Sequence, residues 1–348
     1  MAVKHLSLEY DKVNERGTFS PGDVLSGRVT VVSSKETTAQ RFVVRAKGKA
    51  KVTWPEQRGR STVLHSDKKE YFKFEHVILQ DKNKGDGSEI IRSGRSVYPF
   101  SFVVPDVCVF RPTRPRYSSH TLVCLLLENL LVFASSRDMP SSYRGKWGRV
   151  TYSVRAQLTQ TIWLVHKTKA ELPFLTKSDF PFASRSEMII IGLKEPQCAS
   201  RISFLGRGTV TMNVTSEKMG VKQGEALGVS VELLNSSACA LTPRLYLREK
   251  QTFVAQSHRI VHASDTLFAT GDSVPAGTSH SVTKVLRIPP RLPPTFFNCS
   301  MMKLEYRLKV TLTRDQEVRL PLVVLLGSPH TQQQQRPRRS IWFRKLPA

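Results

Sequence analysis

The sequence predicts an all-β protein of two tandem antiparallel β-sandwiches joined by a short linker, and three observations carry that prediction. VTYSVRAQL alternates without a break: Val150, Tyr152, Val154, Ala156 and Leu158 take one face, and Thr151, Ser153, Arg155 and Gln157 the other. That is the period of a strand half buried in a sheet. LEYRLKVTL repeats it with Leu304, Tyr306, Leu308, Val310 and Leu312, which sets Tyr306 at 154 residues after Tyr152 (306 minus 152). Neither half contains a sustained amphipathic helical pattern, so strands must supply the core.

In chain order, Leu6 to Tyr10 opens the first half. FSPGDVLSGRVTV, Phe19 to Val31, is a Gly-containing turn that starts an alternating strand over Val24 to Val32, because glycine enters the left-handed region without a Cβ clash. Arg41 to Val52 is a basic strand, Tyr71 to Leu79 an aromatic one, and Asp81 to Ser88 (DKNKGDGS) a polar loop. Val97 to Val104 is a strand stopped by Pro105. The second half repeats these pieces in order. VKQGEALGVSVEL, Val221 to Leu233, matches Phe19 to Val31, with Gly224 at the place of Gly22 and Glu225 at that of Asp23. VLRIP, ending at Pro289, matches SFVVP, ending at Pro105. A tandem duplication follows, and 348 residues accommodate two domains of roughly 150 each.

One stretch breaks the symmetry. From Pro105 to Tyr152 is 47 residues, whereas from Pro289 to Tyr306 is 17. The surplus falls at about 107–138, where FRPTRPRYSSH precedes a short apolar run with Glu128 and Asn129 in its middle. A membrane span needs roughly 20 apolar residues, so this run is not read as one. A helix laid on the sandwich, a membrane-touching loop, or an insertion of splicing or gene-prediction origin without a stable fold remain, and the last is favoured. Ile162 to Arg185, with Pro173 and Pro181, reads as an extended connector. MIIIGL then opens the second domain, and Leu320 to Leu326 closes its core. The expected boundaries are 1–168, a linker at 169–186, 187–327, and a disordered basic tail at 328–348, in which Ile341, Trp342 and Phe343 read as part of a free end.

The formal net charge of +25 means that the surface attracts something negative. The most ordered basic feature is RFVVRAKGKAKV, where Arg45, Lys47, Lys49 and Lys51 share one strand face over Ala46, Gly48, Ala50 and Val52. It is a solvated outer face or a docking strip for phosphate or anionic lipid head groups. Nucleic acid is not expected, since no RNP, zinc-finger or helix-turn-helix signal accompanies the charge. Five cysteines, Cys108, Cys124, Cys198, Cys239 and Cys299, have no CxxC spacing, which points to a reducing compartment. MAVKHLSLEY lacks the apolar core of a signal peptide, so the expected compartment is the cytoplasm and the sequons at Asn213, Asn235 and Asn298 are incidental.

No enzyme motif is present. HExxH, P-loop and dinucleotide fingerprints are missing; Gly206-Arg207-Gly208 is an isolated glycine pair, and Gly277-Thr278-Ser279-His280-Ser281 lacks the closing glycine of a nucleophile elbow. His166, His258 and His262 have no acidic partner set around them. A binding role is therefore expected, with no catalytic, cofactor-binding or metal residues.

The paired strands, YPFSFVVP (Tyr98 to Pro105), PSSYRGKWGRVTYSVRAQL (Pro140 to Leu158) and LPFLTKSDFPF together resemble the arrestin family, in its alpha-arrestin branch of arrestin domain-containing proteins. The resemblance covers most of 1–106 and 139–327. It implies two arrestin-like, immunoglobulin-like sandwiches in a cytoplasmic adaptor, peripheral at plasma membrane and endosomes. Such an adaptor binds membrane receptors or transporters as cargo and directs their endocytosis and endosomal sorting. It also implies that Pro105-Asp106 would run almost directly into Pro140. Alpha-arrestins recruit WW-domain ubiquitin ligases through PPxY motifs; the nearest match here is Pro293-Pro294-Thr295-Phe296, with Phe in place of Tyr. Ligases are thus implied as partners only for a form carrying PPxY. A retromer-like coat subunit and a basic sandwich binding nucleic acid are the alternatives from other classes.

Overall fold

The computed structural model describes residues 2–80, 90–105, 139–161, 163–176, 193–205, 208–313 and 316–327. Every regular element among the described residues is a strand. The chain forms two compact units: Met1–Ser184 with Lys250–Ala263 and Phe296–Leu304, and Arg185–Glu249 with Ser264–Thr295 and Glu305–Ala348.

The strands of the first unit are β1 (Val3–Tyr10), β2 (Val24–Ser33), β3 (Thr37–Thr38), β4 (Arg41–Arg58), β5 (Ser61–Gln80), β6 (Ile90–Ile91), β7 (Gly94–Val103), β8 (Tyr143–Arg144), β9 (Gly148–Thr159) and β10 (Val165–Leu172). One sheet has the order β1-β2-β7 and the other β10-β9-β4-β5, with β8 on β9 and a small β3-β6 ladder apart. The alternating residues Val150, Tyr152, Val154, Ala156 and Leu158 are all buried, as the pattern of β9 requires. Phe42 of β4 meets Tyr98 of β7 edge-on at 5.2 Å, one sheet against the other.

Tyr152 is the hub of this core. Its ring stacks on Phe174 at 4.2 Å and lies 5.9 Å from Phe72, and its hydroxyl donates to the Pro140 carbonyl at 2.6 Å. The ring occupies space above Gly48, where an added Cβ would stand 2.6 Å from Tyr152 Cε1. That contact explains a glycine in the middle of a strand. The β4–β5 register shifts between Gly48 and Lys49, a bulge that lets consecutive Tyr71 and Phe72 both turn inward.

The second sandwich is built from β11 (Gln197–Leu205), β12 (Gly208–Ser216), β13 (Gly220–Lys222), β14 (Ala226–Asn235), β15 (Arg244–Ala255), β16 (His258–Thr270), β17 (Thr278–Arg287), β18 (Met302–Thr311) and β19 (Glu317–Leu325), of which Lys250–Ala255, His258–Ala263 and Met302–Leu304 are grouped with the first compact unit. Its sheets run β11-β12-β14-β17 and β13-β19-β18-β15-β16. The duplication is therefore present in the topology: β10-β9-β4-β5 corresponds to β19-β18-β15-β16, and β1-β2-β7 to β12-β14-β17. It extends to single hydrogen bonds. Gly22 and Gly224 have φ of 82° and 78°. Their N–H groups donate to Val104 O at 2.9 Å and Ile288 O at 3.0 Å. Asp23 accepts from the Ser20 N–H at 2.7 Å, and Glu225 from the Lys222 N–H at 2.6 Å. Tyr306 donates to the Pro293 carbonyl at 2.9 Å, as Tyr152 does to Pro140.

The structure departs from the expectation in three described places. The basic and aromatic strands are one hairpin, with β4 and β5 running on through 53–70 to a tight turn at Gly59, φ 61°. Glycine at the first central position is what a two-residue type II′ hairpin demands. The segment read as a connector contributes β10, whose residues 165–172 pair with β9, and Phe174 bridges Phe19. Strands β11, β12, β15 and β16 had no counterpart in the sequence reading. The expected loop at 81–88, the surplus stretch at 107–138, the rest of the connector, most of MIIIGL, and the tail at 328–348 lie outside the described residues.

Removing either tyrosine hydroxyl strands a carbonyl. Tyr152→Phe and Tyr306→Phe are each expected to cost about 1 kcal/mol in urea unfolding. Tyr10→Phe, whose hydroxyl makes an exposed bond to Glu171 O, should stay within about 0.5 kcal/mol of the parent.

Candidate functional site

The outward face of β10-β9-β4-β5 is where charge collects. Along β4, Ala46, Gly48, Ala50 and Val52 turn in and are buried, so Arg45, Lys47, Lys49 and Lys51 turn out, all on one face. Strand register sets their neighbours. Arg45 lies opposite Arg155, itself opposite Lys169; Lys47 lies opposite Ser153 and Lys73; Lys49 lies opposite Thr151 and Glu70; Lys51 lies opposite Arg149 and Lys68. Glu70, Glu75 and Glu171 are the carboxylates interleaved with them.

The four strip residues are not equivalent. Arg45 donates to Glu75 and to Gln157, and Lys47 pairs with Glu70. The hydrogen bond from Arg45 holds the Glu75 carboxyl below the usual carboxylate range, despite partial burial. Among the described residues, Lys49 and Lys51 form no ion pair. Burial lowers the Lys49 pKa first, and the fields of Lys47, Lys68, Arg149 and Lys169 lower it further. Half of the strip is thus matched internally, and the other half holds unbalanced positive charge. Sequence reading missed Lys68, Arg149 and Lys169, and did not join the outward Arg155 to the strip, because these residues are scattered along the chain and meet only through pairing.

The remaining candidates resolve into structural roles. His65 is buried, stacks on Trp54 at 5.3 Å and contacts Glu56 at 2.6 Å. His258 packs on His65 and His262 on Trp147, while His166 lies 3.2 Å from Gln160. The Gly277 turn leads into a strand at Thr278, not a helix. No group of three or more His, Cys, Asp or Glu among the described residues could hold a metal ion. Cys198 and Cys239 are exposed and Cys299 is buried, all three unbridged. Asn235 is fully buried, its amide donating to Cys239 O and Val274 O. The near-match to PPxY is locked into the core: Thr295 and Phe296 are buried and Pro293 O accepts from Tyr306, so it is no exposed polyproline ligand. No helix among the described residues is long and apolar enough to cross a membrane.

Comparison with known proteins agrees with this architecture. The family model described as "Arrestin (or S-antigen), N-terminal domain" matches residues 6–112, and that described as "Arrestin (or S-antigen), C-terminal domain" matches 206–331. The chain is similar to arrestin domain-containing protein 4 of Homo sapiens, 22% identical over 332 residues, covering 92% of this chain and 71% of that protein. It is 21% identical to arrestin domain-containing protein 17 of Caenorhabditis elegans, over 90% of this chain and 68% of the relative. Thioredoxin-interacting protein of Homo sapiens is 22% identical, over 89% and 71% respectively.

The strain at Lys49 has a measurable sign. A lysine whose folded pKa lies below its unfolded value makes charge unfavourable in the fold, so stability rises as pH climbs toward the lysine range. Lys49→Gln is therefore expected to raise Tm at neutral pH, with the gain shrinking as pH rises.

Proposed function

Because the chain belongs to the arrestin family, we propose that it is a non-catalytic adaptor that binds membrane-protein cargo and directs its endocytosis and endosomal sorting. It works in the cytoplasm, at the inner surface of the plasma membrane and on endosomes. The observation that carries this reading is the outer face of β10-β9-β4-β5, where Arg45, Lys47, Lys49 and Lys51 meet further cations across strands with few carboxylates between them. A face of that kind attracts anionic lipid and acidic or phosphorylated cargo segments over about a Debye length, and salt weakens it. The fold offers broad sheet surfaces to partners, and its buried His65 serves packing. Both traits suit recognition.

In cells, proximity labelling from this chain should mark receptors or transporters of the plasma membrane and endosomes; labelling of soluble cytosolic proteins alone would overturn the adaptor reading. In vesicle sedimentation, changing Arg45, Lys47, Lys49 and Lys51 to Ala should weaken binding to phosphatidylserine vesicles roughly tenfold at low salt. Most of the loss should come from Lys49 and Lys51, since the other two already have carboxylate partners. Unchanged binding would remove the strip from the account.

A further inference from the structure

Two strand edges of the first sandwich border one groove. Among the described residues, β5 closes the β10-β9-β4-β5 sheet and β7 closes β1-β2-β7. The groove between them measures about 940 Å³; β5 from Lys68 to His76 forms one wall, and Phe102 and Val103 of β7 the other. Its interior is aromatic: Phe72 and Phe74 stack at 5.5 Å, and His76 meets Phe102 edge-on at 6.3 Å. Phe74 and Phe102 are only half-buried. At the mouth, Val103 is 64% exposed beside Val24, its register partner, at 49%.

The second sandwich carries an obstacle at the equivalent position. Five residues before Pro105 stands Phe100 of β7, and five before Pro289 stands Lys284 of β17, also an edge strand. Val282 and Leu286, two residues to either side of Lys284, are buried, so this lysine occupies a core-facing position. An inward cation on an edge strand hinders the addition of a further strand. The first sandwich has a phenylalanine there, 4% exposed, and lacks that device. On β7 itself Pro99 has no N–H to offer a partner. The edge fit to accept a strand is therefore β5, which contains no proline from Lys68 to His76.

Register fixes what such a strand would meet. Phe72, Phe74 and His76 lie opposite Gly48, Ala46 and Val44, the inward positions of β4, while Lys73 and Glu75 lie opposite the outward Lys47 and Arg45. An added strand presents its side chains in the same alternation, so its inward residues meet the rings and the outward residue between them meets Lys73. The carboxylates of the wall are already engaged: Glu75 pairs with Arg41 and Arg45, and Glu70 with Lys47. Among the described residues, Lys73 forms no ion pair, and the Lys69 ammonium donates to Ser300 Oγ at 3.5 Å rather than to an acid. The groove is thus apolar within and cationic along its rim. A second copy is disfavoured as the occupant, since two chains of net charge +25 repel each other.

We propose that the β5 edge from Lys68 to His76 takes up an extended segment of a partner protein as an added strand, one in which apolar residues alternate with carboxylates. Main-chain hydrogen bonds to β5 supply affinity, the apolar side chains enter beside Phe74 and Phe102, and a carboxylate pairs with Lys73. This goes beyond the adaptor reading: it assigns a second surface, on the flank of the sandwich rather than on its outer sheet face, and the form of chain that surface accepts.

The test uses the full chain and a synthetic peptide of about ten residues, the length of a long strand, that alternates leucine with glutamate. It should bind roughly tenfold tighter than a peptide of the same composition with its leucines and glutamates in separate blocks, which keeps the charge and loses the two faces. Methylating every second backbone nitrogen of the peptide should abolish binding. Hydrogen exchange should show new protection in β5 between Lys68 and His76 when the peptide is bound. Lys73→Glu should weaken binding roughly tenfold and favour a peptide alternating leucine with lysine. Lys4→Glu, the same change of charge on β1 at the far edge of the other sheet, should leave affinity near that of the parent. Phe74→Ser should weaken binding; melting curves identify a variant that fails to fold, and Val103→Asp, at an exposed position, then reads the same wall. Equal binding of the block peptide, or protection outside β5 alone, would overturn the site. So would self-association that the peptide dissolves, which makes a second copy the occupant, or binding that emerges only once residues 107–138 are deleted, which makes it the chain's own segment. Cargo labelling in cells is independent of each result, so failure here is separable from failure of the adaptor reading.

Discussion

The first sandwich depends on where the ring of Tyr152 lies. A phenol set between Phe72 and Phe174 fills the centre of the core, and its hydroxyl reaches Pro140, twelve residues earlier in the chain. Two consequences follow from one side chain. Position 48 must be glycine, because the ring occupies the space of its Cβ. The segment entering β8 is tied to the core, which fixes Arg144 and the turn after it relative to β9. Interior packing and exterior charge are therefore coupled through β4: Gly48 faces the ring, while Lys47 and Lys49 on either side face outward.

The exterior of that sheet is arranged against its own stability. Rows through Arg45 and Lys47 contain carboxylates that take up part of the charge, as the ion pairs to Glu75 and Glu70 attest. The row through Lys51 has none. A fold chosen only for stability would place acids there, since opposite charges across a ladder contribute roughly 0.2–1 kcal/mol per pair. Surface repulsion of this size is tolerable in a domain with a core of large aromatics, and it becomes favourable once an anion binds. The second unit presents the opposite case: Lys309 contacts Asp265 at 2.8 Å and Glu317 at 3.0 Å, a matched cluster on an equivalent sheet.

The duplication was legible in the sequence because its signals are local. A period of two and a glycine followed by an acid require only short windows, and Gly22, Gly224, Tyr152 and Tyr306 take matching roles in space. What escaped was non-local or polar. Residues 53–70 carried no strand assignment, since Pro55, Arg58, Gly59 and Arg60 mask a two-stranded ribbon whose pairing partner alone gives it form. Strand β16 is largely exposed on both faces, so it has no alternation to detect. The charge row was invisible for a stronger reason: Lys51, Lys68, Arg144 and Arg149 become neighbours only when three separate registers are known. Of the candidate face, the sequence contained the β4 strip and the outward residues Thr151, Ser153, Arg155 and Gln157 of β9, but not that the two lie side by side.

The hairpin of β4 and β5 outruns the sheet that supports it. Strand β9 accompanies β4 only as far as Val52, so among the described residues, 53–66 form a two-stranded ribbon, anchored at its base by buried Trp54 and His65. A narrow ribbon twists more readily than a sheet. Its root is the pair Lys51 and Lys68. The exposed tip around Gly59 and the crowded cations thus stand on one continuous ladder, so a partner that grips the tip meets those charges at its base.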